Sequence, residues 1–322
     1  MRICSFLLAA ALAAVPAAAL AQSETITLRV AGWNMESGES DDNLLRGQIA
    51  EKDGVDIWGF SEVRNAGALA AFEIGAEDGE NAEFDAILGT TGGGDRLAIA
   101  FDTTVLELLG SEELTTMQGG NPSHRAALVA HFKGKRTGQE FKLMVNHLAR
   151  GDAALRLEQA TFLNDWARMQ PVPVIALGDY NFDYHVDFGD GGSRDPGFDA
   201  MVKDGAFIWV KPETLVKTQA SDSFNTVLDF VFVANPIPGW TGKSVILARD
   251  SDGPAAGGDF DDDSRQTDHL PIDAIFEIIV SGDADDEDEG DDAGGGDVSR
   301  EDILQRLDAI EEELGQIRAL VQ

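Results

Sequence analysis

The stretch "VIALGDYNFD", Val174–Asp183, decides how this chain is read. Val174 to Gly178 are β-branched or small and uncharged, as expected of a buried strand. The run then meets Asp179, an aromatic and Asn181. Residues on alternate positions of a strand point to one side of the sheet, so an acid and an amide share a face here. Short polar side chains also suit turns, and taken alone the stretch favours an Asx-type loop. The alternative is an acid and an amide aimed at one ligand from the rim of a sheet.

Working outward, similar apolar runs recur from Ile26 to Val280: "ITLRVAGW", "VDIWGF", "RLAIAF", "RAALVAHF", "EFKLMVNHL", "VPVIALG", "AFIWV", "TVLDFVFV", "KSVILA" and "PIDAIFEIIV". Helical spacing is clearest from Ala153 to Met169, where Leu155, Ala160, Leu163 and Trp166 recur at threes and fours. A second helix is expected from Asp41 to Lys52, its early acids suiting the macrodipole. Many strands and few helices predict an α/β (α+β) layered sandwich rather than a purely parallel doubly wound sheet.

Beyond this body the composition divides the chain. Residues 1–21 carry Arg2, an uncharged run from Ile3 and a small-x-small site at Ala19–Ala21, which reads as a secretory signal peptide. Export to the periplasm or the medium is expected, with no membrane insertion. The single cysteine, Cys4, lies inside that segment, so residues 22–280 use no thiol as nucleophile or metal ligand. The whole chain carries −34, and residues 22–280 hold 43 acids against 20 bases. Such a surface repels nucleic acid and anionic membranes unless cations intervene.

Residues 281–298 are nearly all acid and glycine, the composition of a disordered linker. Their Asp spacing, like that of "DFDDDSRQTDHL", fails the Gly-six, Glu-twelve calcium loop. In 299–322, Ser299 and Asp302 resemble a capping box. Ile303, Ile310 and Ile317 then alternate with Leu307, Leu314 and Val321 as a heptad seam. Leucine at a with isoleucine at d favours trimers or tetramers, so a coiled-coil helix making a homo-oligomer is expected. A helix docking back on its own domain is the alternative.

The residues able to do chemistry lie at strand ends: Asn34, Glu62, His147, Asp179 with Asn181, and Asp268 with His269. Asp229 lies inside "TVLDFVFV", where a carboxylate needs a partner to offset desolvation. Singly, each has an ordinary explanation as a turn, a cap or a sheet-edge residue. Together, Asn, Glu, His, Gly-Asp-x-Asn, Asp and Asp-His in this order resemble the endonuclease/exonuclease/phosphatase superfamily over Ile26–Val280. "GDYN" matches its Gly-Asp-x-Asn, and "TDH" its Ser-Asp-His with a threonine variant.

The resemblance implies a four-layer α/β/β/α sandwich with its site where two sheets meet. It implies that Asn34, Glu62 and Asp268 serve a divalent cation. Oxygen ligands suit Mg²⁺ or Mn²⁺, with Ca²⁺ a further candidate. Asp179 would orient or deprotonate the attacking water, and Asn181 and His147 would contact the phosphate. Asp229 would fix His269. Arg125 matches a phosphate-contacting arginine of nuclease members, against the ordinary reading of a surface ion pair. Asp95 lies where deoxyribonuclease-like members pair an acid with the histidine equivalent to His147. Those members carry a tyrosine in a region that here shows only Gly92, Gly93 and Gly94.

The expected function is a metal-dependent phosphoester hydrolase, foremost a sequence-tolerant nuclease. A phosphatase or sphingomyelinase-like phosphodiesterase comes second, with Trp240 a candidate membrane-facing tip. An oligomeric binding protein with an inactive site comes third.

Overall fold

In β1 (Glu24–Asn34) the two-residue period sorts side chains onto two layers. Leu28 and Val30 join one buried cluster, while Ala31 and Trp33 join another on the opposite face. A strand buried on both sides must lie inside a layered molecule. A computed structural model describes residues 24–38, 40–187, 194–220, 225–237, 240–249, 259–260 and 267–280. The signal-like segment 1–21, the acidic linker 281–298 and the heptad segment 299–322 lie outside them.

β1 pairs in parallel with β2 (Ile57–Val63) and antiparallel with β14 (Ile272–Val280). β3 (Phe84–Leu88), β4 (Arg96–Asp102) and β11 (Thr241–Ile246) complete the first sheet, in the order β11-β14-β1-β2-β4-β3. The second sheet is built from β5 (Leu106–Leu114), β6 (Ala127–Gly134), β7 (Glu140–His147), β8 (Val174–His185), β9 (Ile208–Trp209) and β10 (Thr226–Ala234). Its order is β5-β6-β7-β8-β10-β9. A two-residue parallel pair joins β12 (Ala248–Arg249) and β13 (Asp259–Phe260).

Val30, Ile57, Ile99 and Phe101 of the first sheet meet Phe132, Leu143, Val145 and Leu177 of the second in the central core. Gly59 lets the sheets approach: a Cβ there would lie 2.2 Å from Leu177 Cδ1. Helices α1 (Asp42–Ala50) and α2 (Ala66–Glu77) bury Leu45, Ile49, Leu69 and Phe72 with Trp33, Trp58 and Phe60 on the first sheet's outer face. Asp41 and Asn65 cap them by accepting backbone N–H groups. Helices α3 (Ala153–Arg168) and α4 (Pro196–Val202) place Leu163, Trp166, Phe198 and Met201 in the second sheet's core. The result is the four-layer sandwich.

The structure corrects several sequence expectations. β8 does not stop at Gly178 but continues to His185. Asn181 and Asp183 hold φ of 53° and 52° within it, and β10 shifts register between Val227 and Asp229. The acid and amide therefore leave a strand that bends, not one that ends. β3, β5 and α2 had no clear sequence pattern. β5 lies at a sheet edge with most side chains exposed, so its acids need not alternate with apolar residues. Trp240, a candidate membrane tip, is buried against Phe141 and Phe276. Among the described residues no helix is long and apolar enough to cross a membrane.

Candidate active site

The second sheet sets three chemical groups at one height. His147 on β7 is in register with Asp179 on β8, and Asp179 with Asp229 on β10. Gly178 makes this row possible. Its φ is 127°, and a Cβ would lie 2.1 Å from Asn146 O on the neighbouring strand, so only glycine fits. Tyr180 turns to the other face and is fully buried, receiving a 3.0 Å hydrogen bond from Asn146 Nδ2 and packing on Phe182 and Phe230. The turn reading also holds, because Asp179 Oδ1 accepts the Asn181 backbone N–H at 2.9 Å.

Two buried carboxylates directly across a strand pair repel. Here His269 stands beside both. Its Nδ1 lies 2.8 Å from Asp229 Oδ2 and its Nε2 3.8 Å from Asp179 Oδ2. Asp229 itself is fixed by its backbone N–H donating to Thr218 Oγ1 at 3.2 Å.

The first sheet contributes the opposite wall. Asn34 ends β1 and donates from Nδ2 at 3.1 Å to Glu62 Oε1 and at 3.1 Å to Asp179 Oδ2. Glu62 sits near the end of β2 at φ 58°, a left-handed conformation that a non-glycine residue adopts at a strain cost. Its Oε1 lies 3.9 Å from His147 Nδ1, a buried nitrogen without a hydrogen bond. His147 Nε2 lies 3.5 Å from Asp179 Oδ2. One carboxylate oxygen thus meets side chains from both sheets and from the segment before β14.

Burial separates the protonation states of the two histidines. His147 is held well below its ordinary value by burial and by the positive fields of Arg125, His269 and Arg150, so it is neutral. Burial also opposes charge on His269, but Asp229, with Asp179 and Asp268, outweighs it and raises the group to about 10. Asp179 is pushed up to about 7 by burial and by Asp229. A neutral and a charged imidazole therefore flank a carboxyl poised near neutrality, the separation that acid–base chemistry requires.

The oxygen donors suit a hard divalent cation. Glu62 and Asp179 converge on the Asn34 amide, but a neutral N–H group gives the two acids no countercharge, which a hard cation between them would supply. Asp179, Asp229 and His269 also bring one ligand atom each within 4.8 Å of one another. His269 Nδ1 is committed to Asp229, however, which favours the Asn34–Glu62 side for a cation.

The remaining expected residues divide. Asp268 borders the cluster, its Oδ1 3.8 Å from His269 Nε2 and its Oδ2 accepting from Gln219 Nε2 at 2.7 Å. Asn181 is buried beside Asp179, donating from Nδ2 to Leu148 O at 3.3 Å. Asp95 does not pair with His147. It accepts from Ser37 and lies 3.7 Å from Arg125 Nη1. Arg125 is thus in an ion pair, while its Nε is buried without a hydrogen bond.

Sequence reading missed Glu36, whose Oε2 accepts the Asp268 backbone N–H at 2.8 Å. It gave no role to Thr267, quoted only as the threonine of "TDH", which donates to Asn34 O at 2.8 Å, and it missed Gln219. Glu36 falls two residues after Asn34, the alternate spacing that drew attention to Asp179 and Asn181. Thr218 and Gln219 lie in a loop with no pattern to mark them.

No protein-family model and no curated protein sequence matches the chain. Solved structures do. An endonuclease/exonuclease/phosphatase family protein from Bacteroides thetaiotaomicron matches with a TM-score of 0.58 at 20% identity, covering 79% of this chain and 99% of that one. The mannosyl-6-phosphatase of the same organism matches at 0.55 and 20% identity, covering 77% and 99%. D. rerio TDP2 complexed with single-strand DNA product matches at 0.55 and 15% identity, covering 78% and 98%. The chain has the endonuclease/exonuclease/phosphatase fold.

Proposed function

We propose that this chain is an exported, divalent-cation-dependent phosphoester hydrolase that cuts nucleic acid without sequence preference. The observation that carries the proposal is the meeting at Asp179 Oδ2 of Asn34, His147 and His269, within 3.1, 3.5 and 3.8 Å. Asn34, Glu62 and Asp268 would hold a cation, Mg²⁺ or Mn²⁺, which when bound neutralises charge growing on the phosphate. Asp179 takes a proton from the attacking water, and its elevated value makes it a competent base near neutral pH. His269, charged through Asp229, donates to a phosphate oxygen. Neutral His147 and the Asn181 amide position the phosphate from the β7 side. No nucleophilic side chain is required.

A phosphatase acting on small monoesters is the second reading, favoured by the acidity of residues 22–280, with 43 acids against 20 bases. Burial of Trp240 removes the one feature that suggested a lipid surface. The purified protein should be offered plasmid DNA, RNA, sphingomyelin and bis(4-nitrophenyl) phosphate with Mg²⁺, Mn²⁺ or EDTA. Degradation of both nucleic acids with cation, abolished by EDTA, is expected. Hydrolysis of none of the four would refute the phosphodiesterase reading and leave only the monoester phosphatase.

A further inference from the structure

A cleft of about 330 Å³ opens beside Asn181, its lining including Arg150, Arg156, Asn181, Asp183, Gln219 and Thr226. Two of these border the candidate active site: Asn181 follows Asp179 by two residues, and Gln219 donates to Asp268. Arg150 is the unusual member. In a chain of 58 acids its guanidinium is exposed and pairs with no carboxylate among the described residues. Asp183 lines the same cleft without forming an ion pair to it.

The backbone that carries Arg150 is anchored at successive residues. Leu148 N–H donates to Asp179 O at 3.0 Å, and Ala149 N–H to Gln159 Oε1 at 2.9 Å. Buried Arg156 then donates from Nη1 to the carbonyls of Ala149 and Arg150 at 2.6 and 2.9 Å, while Asp195 holds its other face. A guanidinium is thus presented from a fixed loop directly after His147, near enough for its charge to bear on that histidine.

We infer that this cleft is the subsite for the phosphate next to the scissile one in a nucleic-acid strand, with Arg150 as its cation. The inference rests on the hydrolase reading above and deepens it. A planar, weakly hydrated cation carried on an anchored backbone suits a phosphate oxygen pair, and its local positive field gives an anionic polymer a foothold on an acidic body. On this reading a single small phosphoester needs only the catalytic centre, so Arg150 sets preference between substrates.

The test compares wild type, Arg150→Gln and Arg150→Lys on a single-stranded DNA 12-mer and on bis(4-nitrophenyl) phosphate with Mn²⁺. Arg150→Gln is expected to lower the ratio of kcat/KM for DNA to that for the small diester about tenfold, chiefly through KM. Arg150→Lys should recover part of it. The slope of log KM for DNA against log salt should become shallower by about one in the glutamine variant. An unchanged ratio and slope, with both probes hydrolysed, would overturn the subsite and leave the hydrolase reading standing. Hydrolysis of neither probe by wild type would take down the subsite together with the nuclease reading it rests on.

Discussion

Replacing Asp229 by Asn is the sharpest test of how the candidate site sets its protonation states. The substitution keeps size and the backbone bond to Thr218, so the bulged β10 should be preserved. It removes the largest influence raising His269, while burial, which lowers it, remains. His269 should fall from about 10 to near or below its ordinary 6.5. With a value near 6, only about 1% of the imidazole stays charged at pH 8, against nearly all of it in the wild type. If charged His269 is needed, kcat/KM at pH 8 should drop on the order of 100-fold, and roughly tenfold at pH 7. The assay is the pH dependence of bis(4-nitrophenyl) phosphate hydrolysis with Mn²⁺, beside an NMR titration of the histidine. The alkaline limb should move inward from near pH 10 toward pH 6. Stability follows the same sign. A group raised in the folded state stabilises below its unfolded value and loses that contribution as pH rises through its folded one. The wild type should therefore hold its full His269 contribution only below about pH 6.5 and lose it progressively as pH rises to about 10. An alkaline limb that stays where it was, with full activity, would refute the role given to the Asp229–His269 pair.

Other expectations follow from particular residues. Gly178→Ala forces a side chain into a φ of 127° against Asn146 O, and should cost on the order of 4 kcal/mol in urea unfolding and abolish activity. Asp56, remote from the site, is pushed up to about 6 by burial and by Asp102 and Glu80. Folded protein therefore binds the extra proton between pH 6 and 4, and stability rises as pH falls through that window. Asp56→Asn keeps an acceptor for the Arg29 N–H and should stabilise by up to about 3 kcal/mol at pH 8, with the gain gone at pH 4; a gain equal at both would refute it. Removing residues 281–322 should leave activity intact and give a monomer by light scattering, and an oligomer that persists would exclude the heptad segment as its cause.

Chemical identity was legible in the sequence. Asn34, Glu62, His147, Asp179, Asn181, Asp229 and His269 could be picked out because polar groups at the ends of apolar runs violate the pattern that buries a core. Periodicity alone gave β1, β7, β10 and α3, since each has a face that must be apolar. It failed for edge strand β5, which most of its side chains leave exposed, and for the continuation of β8 past Gly178.

Tertiary structure decided the rest, because strand order and register are not local properties. Only the parallel β7–β8 pairing brings His147 level with Asp179, and only the shifted β8–β10 register sets Asp229 across from it. That juxtaposition desolvates two acids together and draws His269 between them, which no residue list contains. The same packing sent Asp95 to Arg125 rather than to His147, and left Arg150 lining a cleft with no carboxylate partner among the described residues. The sequence thus determined which groups were present, and the meeting of two sheets determined which of them share a field.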